Sequence, residues 1–166
     1  RSVWDKGKGF LKKAGTIIFA GSVFIWLLTY LGPSGVDVAM DDSFLAIIGG
    51  AIAPLLAPLG FGTWQAGAAL LTGFMAKEVV VSTMNIIYFA PDVETLQALM
   101  TFHYSALSAY SFMAFILLYI PCMATVATIK KETASTKWTI VSIVYALILA
   151  YILSFLIYQI GSLLGF

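Results

Sequence analysis

The chain has 166 residues, 61% of them hydrophobic and 10% charged, with a formal net charge of +1 and a mean hydropathy of +0.97. A soluble domain carries about 45–50% apolar and about 25% charged residues, so no soluble core hides this much apolar surface. With no basic patch outside the membrane flanks, the charge also excludes a nucleic-acid partner.

Apolar stretches long enough to cross about 30 Å of hydrocarbon recur along the chain. The fold class that follows is all-α: a polytopic transmembrane helical bundle of about four to five spans with a broken or re-entrant segment, partnered by the lipid bilayer. Cys122 is the single cysteine, which rules out an intrachain disulfide and leaves the redox compartment unread. The chain opens on Arg1 rather than Met and reads as a piece of something longer.

Arg1, Lys6, Lys8, Lys12 and Lys13 precede the first apolar run with only Asp5 against them, which makes this flank cytoplasmic by the positive-inside rule. The first span is 14–31. It exceeds the usual h-region of about 7–15 residues and further spans follow it, so it is not read as a cleaved signal. Gly32-Pro33-Ser34-Gly35 signals a turn, and Asp37, Asp41 and Asp42 without Lys or Arg put the next loop outside.

The stretch 43–61 is apolar but interrupted by Gly49, Gly50, Pro54 and Pro58. Pro removes a helical donor and clashes with the preceding turn, so a broken span, a re-entrant piece or an interfacial helix is expected here. The stretch 65–89 is apolar except for Lys77 and Glu78 near its middle. The loop 90–103, with Asp92 and Glu94 and no Lys or Arg, reads as outside. The run 104–129 ends at Lys130-Lys131, with Lys137 beyond, as a cytoplasmic turn; 138–163 is the last span, anchored by Trp138.

Parity bears on the interrupted stretch. If the N-terminal flank and the Lys130–Lys137 turn are both inside, either 43–61 crosses or 65–89 enters and returns as a hairpin with Lys77-Glu78 near its tip. Both put broken backbone at membrane depth, which is tolerated only where protein or a water-filled cavity surrounds it. Transporters build midplane sites this way.

Two constellations carry chemistry. An ionisable residue inside a span costs about 2.5–3.5 kcal/mol on the translocon scale and marks function by default; Lys77 and Glu78 are such residues. On a helix, Glu78 shares a face with Met75, Ser82 and Asn85, a stripe of thioether, carboxylate, hydroxyl and amide suited to a cation or a small polar solute. The bland alternative is a helix packed by small polar residues with Lys77 snorkelling. His103, near a span end, reads as an interfacial residue rather than a ligand.

The second constellation is Pro121-Cys122-Met123-Ala124-Thr125. Pro121 has no N–H for the carbonyl of Leu117, which is left free for a cation, water or hydroxyl. Cys122 adds a soft sulfur, and Thr125 a hydroxyl on the same face. Mixed sulfur, oxygen and nitrogen donors suit borderline divalent ions such as Fe2+, without separating it from Mn2+ or Zn2+, and the thiolate tilts away from Mg2+ and Ca2+, although a lone buried Cys usually behaves as a small hydrophobe. Nothing supports catalysis: Gly7-Lys8-Gly9 lacks P-loop spacing, and no His-Glu-x-x-His, paired-Cys zinc pattern or Ser/His/Asp set is present.

Three segments together resemble a known family. Phe10-Leu11-Lys12-Lys13-Ala14-Gly15-Thr16-Ile17-Ile18, then Gly73-Phe74-Met75-Ala76-Lys77-Glu78-Val79-Val80-Val81-Ser82-Thr83, then Tyr119-Ile120-Pro121-Cys122-Met123-Ala124-Thr125 with Lys130-Lys131-Glu132-Thr133, look like the C-terminal membrane region of the ferrous iron transport protein B (FeoB) family. Pro58-Leu59-Gly60-Phe61 before Trp64 is similar too. The resemblance covers nearly the whole chain in order and implies that 1–166 is the second gate region, a module also found in proteins similar to nucleoside transporters.

It further implies Fe2+ uptake across the bacterial cytoplasmic (inner) membrane, coupled to a GTP-binding domain and completed by a first gate segment, neither of which these residues contain. The family's gate cysteine matches Cys122, and its Ala-Lys-Glu motif matches Ala76, Lys77 and Glu78. The pathway candidates are therefore Cys122, Glu78, Ser82, Asn85 and Thr125, with Lys77, Pro121 and Leu117 beside them. Fe2+ is the transported ion, GTP belongs to the other domain, and the partners are the rest of the transporter and a possible second copy. The alternatives are a nucleoside-type carrier and a non-conducting assembly subunit.

Overall fold

The computed structural model describes residues 15–165 except 17, 18, 22, 34, 37, 76 and 78. The basic flank with Arg1, Lys6, Lys8, Lys12 and Lys13 lies outside the described residues, as do Ala76 and Glu78. Among the described residues the regular elements are helices apart from one short ribbon.

Helix α1, Phe19–Tyr30, leads into β1, Leu31–Gly32, and β2, Gly35–Val36, paired antiparallel in the register Leu31↔Val36 and Gly32↔Gly35. The Gly-Pro-Ser-Gly turn signal falls here, and Gly35, at φ 124, takes a backbone angle that side chains disfavour. Helix α2, Phe44–Leu56, is capped by Ser43, whose Oγ accepts from the Ala46 N–H at 3.2 Å. That bond satisfies one of the helix's orphan donors.

Pro54 sits inside α2 instead of ending it. The break comes later, at 57–63: a single 3-10 turn, Ala57–Leu59, has Pro58 in its first residues and stops at Gly60 in the left-handed region, φ 89. Proline is tolerated in a first turn, where its missing N–H has no intrahelical partner to lose. Helix α3, Trp64–Met75, then leaves with its axis turned by 104° from that of Phe44–Leu59. The two helices cross with almost no side chain between them: a Cβ on Gly49 would lie 2.5 Å from the Trp64 carbonyl oxygen, and one on Gly67 would strike the Gly49 backbone.

Helix α4, Val79–Ile87, folds back on α3. Thr83 Oγ1 donates to Thr72 Oγ1 at 3.0 Å, and Thr72 Oγ1 donates to the Ala69 carbonyl. On one continuous helix these two threonines would stand about 16 Å apart along the axis, so α3 and α4 are separate helices packed back on each other. This corrects the stripe of Met75, Glu78, Ser82 and Asn85 as one helical face: Met75 ends α3, while Ser82 and Asn85 lie on α4.

Helix α5, Val93–His103, is capped by Asp92, which accepts from the Thr95 N–H at 2.7 Å. It is followed by α6, Ala106–Leu118, α7, Met123–Thr133, and α8, Thr136–Leu163. Among the described residues, Ala106–Thr133 and Thr136–Leu163, 28 residues each, are long and apolar enough to cross a membrane; the bent pair Phe44–Leu59 and Trp64–Met75 makes a third if it counts as one span. Taken singly, α2, α3 and α4 are too short to cross about 30 Å at 1.5 Å per residue.

The core is organised around Phe61, fully buried in the α2–α3 break. Its ring meets Phe112 edge-on at 5.1 Å and Phe115 at 5.7 Å, and the ladder continues from Phe115 to Tyr119 at 5.7 Å. Helix α6 is fixed to α8 by a reciprocal pair: Ser111 Oγ donates to the Ser154 carbonyl at 3.1 Å, and Ser154 Oγ to the Ser111 carbonyl at 3.2 Å. Both serines are fully buried, whereas Val141, Val144, Tyr145, Ile148 and Ile152 of α8 are exposed. An apolar face of that size suits hydrocarbon rather than water.

Candidate functional site

Two breaks in the helical chain meet. The first lies between the end of α3 at Met75 and the start of α4 at Val79, where Lys77 stands. The second runs over 119–122, between the last turn of α6 and the first of α7. Helix α6 stops because Pro121 cannot donate to the Leu117 carbonyl; Tyr119 makes the last backbone bond, to the Phe115 carbonyl at 2.8 Å. The chain restarts at Cys122, the residue before α7, whose carbonyl accepts from the Val126 N–H at 3.0 Å.

The Leu117 carbonyl that the sequence leaves without a helical donor has a partner in the structure. Lys77 Nζ, from the first break, donates to it at 3.0 Å. The same ammonium lies 5.2 Å from the centroid of the Tyr119 ring, within the range of a cation–π contact. Tyr119 is buried, and its hydroxyl donates to the Leu70 carbonyl of α3 at 3.2 Å. Space for it comes from Gly73, where a Cβ would lie 2.6 Å from the Tyr119 hydroxyl oxygen.

Cys122 is half-buried, and its Sγ lies 3.2 Å from Thr125 Oγ1. The i, i+3 spacing read from the sequence does bring sulfur and hydroxyl together, one residue beyond Pro121. Ser82 goes elsewhere: together with Met75, Thr83 and residues of α1 it lines a cavity of about 260 Å³. Asn85 is half-buried, and its Oδ1 is a buried side-chain oxygen with no hydrogen-bond partner among the described residues. Glu78 lies outside the described residues. His103 packs its ring at 5.1 Å from Tyr88. No group of three or more His, Cys, Asp or Glu able to hold a metal occurs among the described residues.

The arrangement thus unites Lys77, Leu117 and Tyr119, with Pro121, Cys122 and Thr125 directly following, and leaves Ser82 on a separate, mostly apolar cavity. Tyr119 and Leu70 carry no role in the sequence reading. The signal for Tyr119 was its place two residues before the helix-breaking Pro121; for Leu70 there was none, since any backbone carbonyl looks alike in sequence.

Comparison with known proteins bears on what these breaks belong to. Residues 11–136 match the family described as Gate: Nucleoside recognition. This chain belongs to that family. Relatives of this chain include an Fe(2+) transporter FeoB of Staphylococcus aureus (strain MSSA476), 56% identical over 163 residues, covering 98% of this chain and 24% of the relative. A second is an Fe(2+) transporter FeoB of Methanocaldococcus jannaschii, 40% identical over 172 residues, covering 99% of this chain and 25% of the relative. A third, an Fe(2+) transport protein A/Fe(2+) transporter FeoB fusion protein of Porphyromonas gingivalis, is 32% identical over 209 residues, 97% of this chain and 25% of the relative. The chain spans about a quarter of the length of these relatives. No solved structure matches. The resemblance to the FeoB gate region drawn from the motifs holds, and the chain is a membrane-embedded Gate segment.

Proposed function

We propose that this chain is the gate-bearing part of a ferrous iron permease in the cytoplasmic (inner) membrane, and that Fe2+ as substrate passes the break between α6 and α7. The observation that carries the reading is the Lys77–Leu117 bond, which ties the junction of α3 and α4 to the end of α6 at the 119–122 break. Unwound backbone at membrane depth is stable only against protein or a water-filled path, and transporters place ion sites at such breaks. Cys122 and Thr125 offer the ion a soft sulfur and a hydroxyl, with Glu78 and Asn85 as further pathway candidates. Several weak contacts let an ion enter without trapping it. In this reading the GTP-binding domain and the first gate segment belong to the rest of the protein, and a second copy of the transporter is a further partner.

The topology consistent with this reading has the N-terminal flank and the Lys130–Lys137 turn on the cytoplasmic side. Residues 43–103 then leave and regain the outer face without a net crossing. The 104° turn after α2 and the packing of α4 back on α3 support such a path through short helices.

The test is Cys122→Ser in the full-length transporter, with Fe2+ uptake measured in cells. Uptake is expected to fall by about tenfold, the order of a lost metal-supporting contact; unchanged uptake removes the thiol from the pathway. The family description favours a second reading, a carrier of a nucleoside-like solute. The cavity beside Ser82 has the size but little of the chemistry, since Trp26, Thr29, Ser82 and Thr83 are its polar side chains among mostly apolar ones. Competition of uptake by nucleosides but not by Fe2+ or Mn2+ would establish that alternative.

A further inference from the structure

We propose that Lys77 is a positioning residue of the gate: its ammonium stands in for a cation at the Leu117 carbonyl and latches the α6–α7 break closed. The proposal rests on the gate reading above. The Leu117 carbonyl has no donor four residues on, because residue 121 is proline, and a carbonyl in that state is what a desolvated cation seeks. The structure fills it with a cation on a tether, Lys77 Nζ at 3.0 Å.

Lys77 stands between α3 and α4 and Leu117 in the last turn of α6, so the bond's free energy goes into holding two separate parts of the chain together rather than into stiffening one helix. The Tyr119 ring, 5.2 Å from the ammonium, holds the charge from a second direction. Tyr119 is itself held by the Leu70 carbonyl and seated over Gly73, so α3 fixes the ring, the ring flanks the ammonium, and the ammonium closes the break. A divalent ion approaching Leu117 meets a like charge already on its ligand. The latch must swing away before the carbonyl is available, and the aromatic face gives the displaced ammonium a place to stay.

The test reads the latch without using iron. Full-length transporter is reconstituted in vesicles as wild type, Lys77→Met and Lys77→Arg. Alkylation of Cys122 by N-ethylmaleimide is followed by mass spectrometry on the peptide containing Cys122. Loss of one charge-assisted hydrogen bond shifts an opening equilibrium by about tenfold or more, so Lys77→Met is expected to label about tenfold faster than wild type. Lys77→Arg, which keeps a charge and donors, is expected to stay near the wild-type rate. Lys77→Met labelling at the wild-type rate overturns the proposal, as does Lys77→Arg labelling as fast as Lys77→Met, which would assign the effect to packing. Should Lys77→Met fail to accumulate in membranes, Lys77→Gln takes its place with the same two outcomes. Because no iron enters the assay, failure of the latch is distinguishable from failure of the permease reading, which the Cys122→Ser uptake measurement decides separately.

Discussion

Two adjacent glycines in α2 should respond oppositely to the same substitution. At Gly49 an added Cβ would lie 2.5 Å from the Trp64 carbonyl oxygen and 2.9 Å from the Ala68 nitrogen. Both are backbone atoms of α3, so no side-chain rotation relieves the overlap and the two helices must separate. Overpacking of this kind costs about 1–3 kcal/mol. At Gly50 the nearest atom to an added Cβ is the Trp64 Cβ at 3.9 Å, an ordinary contact. Each Gly→Ala change also gains about 0.8–1 kcal/mol of helix propensity. That gain is common to both variants and cancels in their difference, which should be the overlap cost alone, about 1–3 kcal/mol. The assay is the thermal unfolding midpoint of the full-length protein in detergent, read for Gly49→Ala and Gly50→Ala side by side. Gly50→Ala is expected at or above wild type and Gly49→Ala clearly below Gly50→Ala. Equal midpoints, or Gly49→Ala the higher, would refute the close crossing of α2 and α3.

The reciprocal Ser111–Ser154 pair should couple α6 to α8. A double-mutant cycle of Ser111→Ala and Ser154→Ala is expected to give a coupling of about 0.6 kcal/mol and no more than about 1.7, because each carbonyl keeps its helical partner and membrane hydrogen bonds average that little; additive unfolding free energies would deny the pairing. Asp92 caps α5 outside the apolar spans, and its bonds from Thr95 hold its carboxyl below the ordinary value of 3.8. Its folded pKa is depressed, so the stabilisation is fully present above 3.8 and is lost as pH falls through the lower folded value. Carboxyl NMR should show Asp92 titrating below 3.8 and the Thr95 amide shift following it; titration at or above 3.8 would contradict the cap.

Much of the architecture was legible before any coordinates. Apolar fraction and run length are additive properties of composition, so the all-helical membrane class needed no tertiary information. The helix-breaking chemistry of Pro121 is equally local, and the carbonyl it strands at Leu117 could be named from spacing alone. The pairing of Cys122 with Thr125 is an i, i+3 contact, within reach of a sequence argument for the same reason. The expectation of a break within 43–61 holds, and of the residues that interrupt this stretch it is Pro58, with Gly60 after it, that marks the turn, while Pro54 stays inside α2.

Long-range geometry was decided by contacts that no periodicity encodes. A continuous helix over 65–89 and a hairpin share the same hydropathy; the Thr72–Thr83 bond selects the hairpin, and it puts Met75 on a different helix from Ser82 and Asn85, with Met75 and Ser82 meeting only at the wall of one cavity. Composition marked Lys77 as an exceptional charge in an apolar run, but which oxygen would receive it depended on a break in another helix. The sequence by itself determined that this is a helical membrane chain with a stranded carbonyl at Leu117 and a buried-run cation at Lys77. Only the tertiary structure decided that the two are partners 3.0 Å apart, because that distance is set by how α3 and α6 are packed through Phe61, Gly73 and Tyr119 and by nothing local to either residue.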